Sequence, residues 1–237
     1  MAKTMETSGV SIIVCTNRPD YFNNILKNYE AQLYAKKELI IILNKDNMEL
    51  GRFRNRARKI AGVSIYKVPE KVSLGQCLNC GIAKASFPLI AKFDDDDYYS
   101  PYYLKEQVRE IRRTKSDIVG KHSCLVYLEA TKNLIIRSPK ERHKYTGFVQ
   151  GGTLLFKRKV LKGVRFPDKS LGEDVAFLKK ATQKGYKTYS TSPFNYVYIR
   201  RKNKQGHTWK ASDQFYLRDC QPIAITDDYR IVANRSS

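Results

Sequence analysis

The sequence predicts a single α/β domain built on a mostly parallel central sheet, and three observations point there. Short apolar, β-branched runs alternate with helical patterns of about a dozen residues, the signature of right-handed βαβ units. The runs are continuously apolar rather than alternating, as expected of strands covered on both faces. The chain has 237 residues, of which 42% are hydrophobic and 11% aromatic, enough for one sizeable core and incompatible with wholesale disorder.

The elements follow in order. Val10 to Val14 forms the first strand, ended by the turn chemistry of Thr16-Asn17-Arg18-Pro19. Tyr21, Phe22, Ile25, Leu26, Tyr29 and Leu33 then recur at helical spacing. Glu38 to Leu43 is a second buried strand closed by Asn44 to Asn47, and Leu50, Phe53, Ala57, Ile60 and Ala61 outline a second helix with arginines on its outer face. Val63 to Val68 is a third strand, and Ser73 is placed to cap a helix from Leu74 to about Ala85. Pro88 to Phe93 is a fourth strand running directly into Asp94-Asp95-Asp96-Asp97. The second half is less regular. A helix over Pro101 to Arg113 precedes strand-like stretches at 117–119, 123–128, 134–136 and 153–156, with Ser138 to Thr146 expected as a mobile basic loop. Gly172-Glu173-Asp174 opens a helix to about Lys184, two short strands follow at 188–190 and 196–199, and the residues after Cys220 are expected to be loosely held.

Charge and cysteine content narrow the function classes. With 44 Lys+Arg against 23 Asp+Glu the formal charge is +21, which favours polyanions, anionic membrane surfaces or phosphorylated small molecules as partners. The basic residues lie in short clusters, with no zinc-finger spacing or RNP-like motif, so nucleic acid stands only as a charge-based runner-up. No apolar run nears the ~20 residues of a bilayer span, and the first ten residues contain no secretory apolar core. The expected location is cytoplasmic, with peripheral contact at the inner membrane face. Five cysteines cannot all pair within one chain, and the C-x-x-C of Cys77 and Cys80 lacks a second ligand pair, so the thiols are read as core residues.

Parallel sheets bind ligands beyond the carboxyl ends of their strands, where three polar turns converge: 16–20, 44–47 and 94–97. Four consecutive aspartates at a strand end repel one another unless a cation neutralises them. Hard divalent ions such as Mg²⁺ or Mn²⁺ accept one or two carboxylates plus phosphate oxygens, so the tetrad suits a metal–diphosphate site.

At this point the sequence resembles the family-2 glycosyltransferases, inverting enzymes of the GT-A fold. The likeness rests on the first strand and Thr16-Asn17-Arg18-Pro19; on Gly75, Asn79 and Gly81; and on Asp94 to Pro101, which fits D-x-D-D-x-x-x-P in register. Gly151-Gly152-Thr153 and Glu173-Asp174 complete the set, which spans residues 9 to 210. The resemblance implies one GT-A domain over residues 1–220, with a nucleotide-binding half at 9–100 and an acceptor half at 101–210 carrying a small second sheet; 221–237 would be a tail. It implies that Thr16, Asn17, Arg18, Asn44, Ser73, Asp94 and Asp95 meet the nucleotide-sugar donor. Asp96 would ligate Mn²⁺ or Mg²⁺, joined by His207 from a closing loop, and Asp174 would be the general base on the acceptor hydroxyl. By itself, Glu173-Asp174 reads as ordinary acidity at a helix N-terminus. His207 reads equally as a surface histidine, and Trp209 as a sugar platform or as packing.

Two departures bear on the donor. Thr16 stands where the family often has an aromatic residue, and Asn44 where it often has an aspartate for the base. UDP is therefore the default, with dTDP and GDP open. The expected acceptor is a glycan or an anionic cell-surface polymer, as in small bacterial members that decorate cell-wall or spore-coat glycans. The alternative is a polyanion-binding module that keeps the fold without catalysis. A nucleotidyltransferase should have a glycine-rich loop after the first strand, and Cys15 to Phe22 contains no glycine.

Overall fold

The computed structural model describes residues 8–203 and 212–236. Its first half is the expected βαβ succession. Strands β1 (Val10–Thr16), β2 (Lys37–Leu43), β3 (Val63–Lys67) and β4 (Leu89–Phe93) alternate with helices α1 (Phe22–Glu30), α2 (Leu50–Ala57) and α3 (Leu74–Lys84). All four strands run parallel in the order β3-β2-β1-β4. Their side chains alternate between two cores. Val10, Ile12, Val14, Leu39 and Ile41 join the cluster beneath α1 and α2, while Ile13, Ile40 and Ile42 pack with Cys77, Leu78 and Ile82 of α3. Both faces are therefore covered, which explains the unbroken apolar runs.

Local chemistry sets the helix ends. The Ser73 hydroxyl accepts the Gln76 N–H at 3.3 Å and caps α3. Helix α2 stops at Ala57, short of the expected Ala61, because the chain must turn back into β3 and does so through Gly62 at φ 76°. At Gly81 an added Cβ would lie 2.6 Å from Ile13 Cγ2, so α3 packs closely on the sheet only with glycine there.

The second half comprises β5 (Tyr98–Tyr99), α4 (Tyr103–Arg113), β6 (Ile118–Gly120), β7 (Cys124–Leu128), β8 (Asn133–Arg137), β9 (Lys144–Tyr145), β10 (Leu155–Lys157), α5 (Glu173–Gln183), β11 (Thr188–Ser190), β12 (Tyr196–Arg200), α6 (Asp213–Leu217), β13 (Cys220–Ile225) and α7 (Arg230–Ala233). Strand β10 inserts antiparallel between β4 and β6, and β11 and β9 complete an eight-stranded sheet. A second, five-stranded sheet has the order β13-β8-β7-β12-β5.

Two expectations are corrected here. The basic stretch 138–146 is not a loose loop, since Lys144 and Tyr145 pair with β11 and the Ser190 hydroxyl donates to Glu141 O at 2.5 Å. Nor is the segment after Cys220 loosely held. It forms β13 against β8, and α7 buries Ala233 under the second sheet, where Asn195 and Arg235 exchange hydrogen bonds of 3.1 and 2.9 Å. Polar tails read as loose because such pairing is long-range and leaves no local pattern.

Candidate active site

Strand register brings the three polar turns to one edge. Thr16 is opposite Leu43, and Val14 is opposite Phe93, so Asn17-Arg18, Asn44 and the aspartate tetrad all leave the sheet at the same end. The Asn44 N–H donates to Thr16 O at 2.8 Å, extending the ladder by one step.

The four aspartates have four different environments. Asp97 is buried and turns away from the opening: it accepts the Tyr196 hydroxyl at 2.5 Å and the Ile199 N–H at 3.0 Å, which ties the tetrad to β12. Burial, then Asp96 and Asp94, push its carboxyl well above the usual range. Asp95 is also buried, accepts the Thr16 hydroxyl at 2.5 Å and pairs with Arg18. Burial first, then Asp96, raise its carboxyl to about 6 despite Arg18 and Thr16. Asp96 accepts from Arg18 Nη1 at 2.9 Å, and its backbone carbonyl accepts from Arg201 Nη2 at 2.9 Å. Asp94 has the most exposed side chain of the four aspartates, at 37%, and is paired with Lys92.

The second half of the chain reaches the same place through glycine. An added Cβ on Gly152 would lie 2.6 Å from Asp94 Oδ2 and 3.1 Å from the Tyr196 hydroxyl, and one on Gly151 would collide with the Asp174 carboxylate. The Gly151-Gly152 backbone is thus packed between Asp94 and Asp174. Gly172, at φ 71°, starts α5 and sets Asp174 in its first turn, where Oδ1 accepts the Val175 N–H at 2.7 Å. The Tyr99 hydroxyl accepts the Asp94 N–H at 2.7 Å and donates to Gly152 O at 2.6 Å, closing the link between β4 and the glycine turn.

Several contributors escaped the sequence reading. Lys92 was read as part of an apolar strand, yet its ammonium is buried against Asp94. Burial alone would lower its pKa, but Asp94, then Glu173 and Asp174, outweigh burial and raise it. Glu173 is itself buried, and burial pushes its carboxyl up. On α1, Asn24 donates to the carbonyls of Asp95 and Asp97 at 2.8 and 2.9 Å, and Asn28 donates to Asp97 O at 2.9 Å. The only sequence signal for these was asparagine on the apolar face of a helix.

The remaining expected residues are distributed as follows. Asn17 is exposed, and Asn44 donates its amide to Pro69 O at 2.7 Å. The Ser73 hydroxyl donates to Asp168 Oδ1 at 2.6 Å while capping α3, which commits it to the loop ahead of α5. His207 and Trp209 lie outside the described residues.

Among the described residues, six carboxylates (Asp94 to Asp97, Glu173 and Asp174) therefore lie around the two cations Arg18 and Lys92, while Arg201 reaches the Asp96 carbonyl and pairs with Glu129, on a chain of charge +21. This donor set fits a hard divalent cation. Asp96 uses only one carboxylate oxygen, for Arg18, and Asp94 is half open. No three His, Cys, Asp or Glu side chains converge as a metal cage among the described residues, so phosphate oxygens would have to complete the coordination.

Comparison with known proteins agrees with this architecture. The sequence profile of glycosyl transferase family 2 matches residues 11–165. Poly-beta-1,6-N-acetyl-D-glucosamine synthase of Staphylococcus aureus is 25% identical over 224 residues, covering 86% of this chain and 53% of that protein. The chain thus spans about half the length of the curated relatives it matches. The S. aureus TarS 1-349 complex with UDP-GlcNAc superposes with TM-score 0.67 at 18% identity, covering 88% of this chain and 63% of TarS 1-349. The mannosyltransferase PcManGT of Pyrobaculum calidifontis, in complex with GDP-Man and Mn²⁺, gives 0.63 at 20%, covering 84% and 58%. The two-sheet architecture is the GT-A fold, and the chain belongs to glycosyl transferase family 2.

Proposed function

We propose that the protein transfers a sugar, with inversion, from a nucleoside diphosphate donor to a hydroxyl of a glycan or anionic cell-surface polymer. The observation that carries this reading is the Gly151-Gly152 turn packed between Asp94 and Asp174, which joins the donor-side strand end to a carboxylate on the acceptor side. UDP-N-acetylhexosamine is the leading donor, because TarS binds UDP-GlcNAc and the curated relatives polymerise N-acetylglucosamine.

Asp94, Thr16 and the Asp95–Arg18 pair line the donor side, with Asn17, Asn44 and Ser73 on its rim. Asp96 would hold Mn²⁺ or Mg²⁺, with His207 proposed as the second protein ligand, and such an ion would offset the charge of the leaving diphosphate. Arg18, which holds one Asp96 oxygen, would be placed beside the donor phosphates, a role guanidinium geometry suits. The acceptor oxygen attacks the anomeric carbon as the bond to the β-phosphate oxygen breaks, and the hydroxyl proton passes to the Asp174 carboxylate. The Lys92 ammonium pairs with Asp94 and offsets part of the negative charge beneath this base. No helix among the described residues is long and apolar enough to cross a membrane; the proposed setting is cytoplasmic and peripheral.

The experiment compares wild type with Asp174→Asn, using UDP-, dTDP- and GDP-sugars with Mn²⁺ and a glycan acceptor. Loss of the base lowers turnover by about a thousandfold while donor affinity stays within twofold. Turnover at the wild-type rate removes Asp174 from the chemistry.

A further inference from the structure

A second charged feature lies away from the active site. Between Leu50 and Pro69 the chain carries Arg52, Arg54, Arg56, Arg58, Lys59 and Lys67 and no acidic residue. Arg56 is fixed by Asn23 Oδ1 at 2.7 Å and lies over the Phe22 ring at 4.7 Å. Arg52, Arg58 and Lys59 have no carboxylate partner among the described residues, whereas Arg113 of α4 is held by Glu110 at 2.7 Å. The α2 surface is therefore a concentrated positive charge that the protein does not neutralise itself.

It is also concave. Arg54, Ala57, Arg58 and Ile60 face Ser64 and Tyr66 across a crevice of about 320 Å³. Strand β3 is the free edge of the large sheet, and the backbone groups of Gly62 and Val68 face β2 through bonds to Leu39 and Leu43. Alternation then turns the Ile65 N–H and C=O outward. Arg54 takes that carbonyl with Nε at 3.3 Å and Nη2 at 3.0 Å, which covers the edge and fixes the guanidinium with Nη1 left for a ligand. An oriented arginine, an unpaired arginine and a serine hydroxyl on one crevice suit phosphate oxygens. None of the large exposed apolar side chains falls between residues 50 and 69, so a lipid surface would gain no insertion there.

We propose that this crevice is an anchoring site for a phosphate-bearing polymer acceptor, engaging the chain away from the point of transfer. The assignment of the polymer as acceptor rests on the glycosyl-transfer reading. Three strand spacings separate β3 from β4, about 14 Å, so a polymer held here would present a unit beyond the anchored one to the aspartate turn.

The test is binding of inorganic polyphosphate to the full chain at several salt concentrations. Wild type binds, with an affinity that falls steeply with salt. Arg54→Gln/Arg58→Gln weakens binding about tenfold and flattens the salt dependence. Lys179→Gln/Lys180→Gln, the same charge change on exposed residues of α5, weakens it less than twofold. Arg58→Gln alone, which removes no internal contact, serves if the double variant does not fold. Equal losses in both pairs would leave only a diffuse field and overturn the site. So would arginine-dependent binding to phosphatidylglycerol vesicles without binding to polyphosphate. UDP with Mn²⁺ is measured in the same samples by melting point. A UDP shift without polyphosphate binding removes the anchor and leaves the transfer reading, and the converse removes the transfer reading together with the polymer's role as acceptor, leaving a phosphate-binding crevice.

Discussion

Two buried charge clusters in this protein are built on opposite terms. In the second half of the chain, Lys121 is buried and its ammonium donates to both oxygens of buried Glu106 at 3.1 Å and to Ser192 O at 2.8 Å. Glu106 in turn accepts from the Ser192 hydroxyl at 2.6 Å and Asn195 Nδ2 at 3.0 Å. One charge meets one charge, and both are saturated with hydrogen bonds. At the end of β4, among the described residues, six carboxylates surround Arg18 and Lys92, and burial has raised the Asp95, Asp97 and Glu173 carboxyls. The first cluster pins α4 to the loops around β6 and β12. The second holds more carboxylates than cations among the described residues, a donor set that fits a hard divalent ion.

That contrast can be broken by mutation. Lys121→Met leaves Glu106 charged in the core, and the expected loss of stability is about 3–5 kcal/mol in urea unfolding. Adding Glu106→Leu should recover part of it, since the pair then disappears together. Full additivity of the two losses would show that the pair does not act as a unit. A smaller effect belongs to the seam between the halves. Gly152→Ala pushes a methyl group against Asp94 and Tyr196, with an expected cost of about 1–3 kcal/mol and weaker donor binding. A variant of unchanged stability and donor affinity would mean that the seam is not tightly packed.

The first half of the chain is legible because each of its signals is local. The β1 to β4 runs, the Ser73 cap and the tetrad following Phe93 are written in consecutive residues, and parallel register brings their ends together. What escaped depends on contacts between distant residues. In the sequence Lys92 is one charged residue in an apolar run, Asn24 and Asn28 carry no local signal, and Asp97 follows three identical neighbours. Their roles arise only when β12, α1 and the 151–153 turn close around β4. For the same reason β9 and β13 were missed, since a two-residue edge strand or a polar tail is specified by the strand it joins.

The central claim is that the unbalanced aspartates bind a divalent ion together with a diphosphate. Its most direct test is calorimetric titration of Mn²⁺ into the UDP-saturated protein, for wild type and for Asp96→Ala. The account predicts one saturable Mn²⁺ per wild-type chain and a loss of about a hundredfold or more in affinity for the variant. Equal Mn²⁺ affinity in both proteins, or none in either, would contradict it.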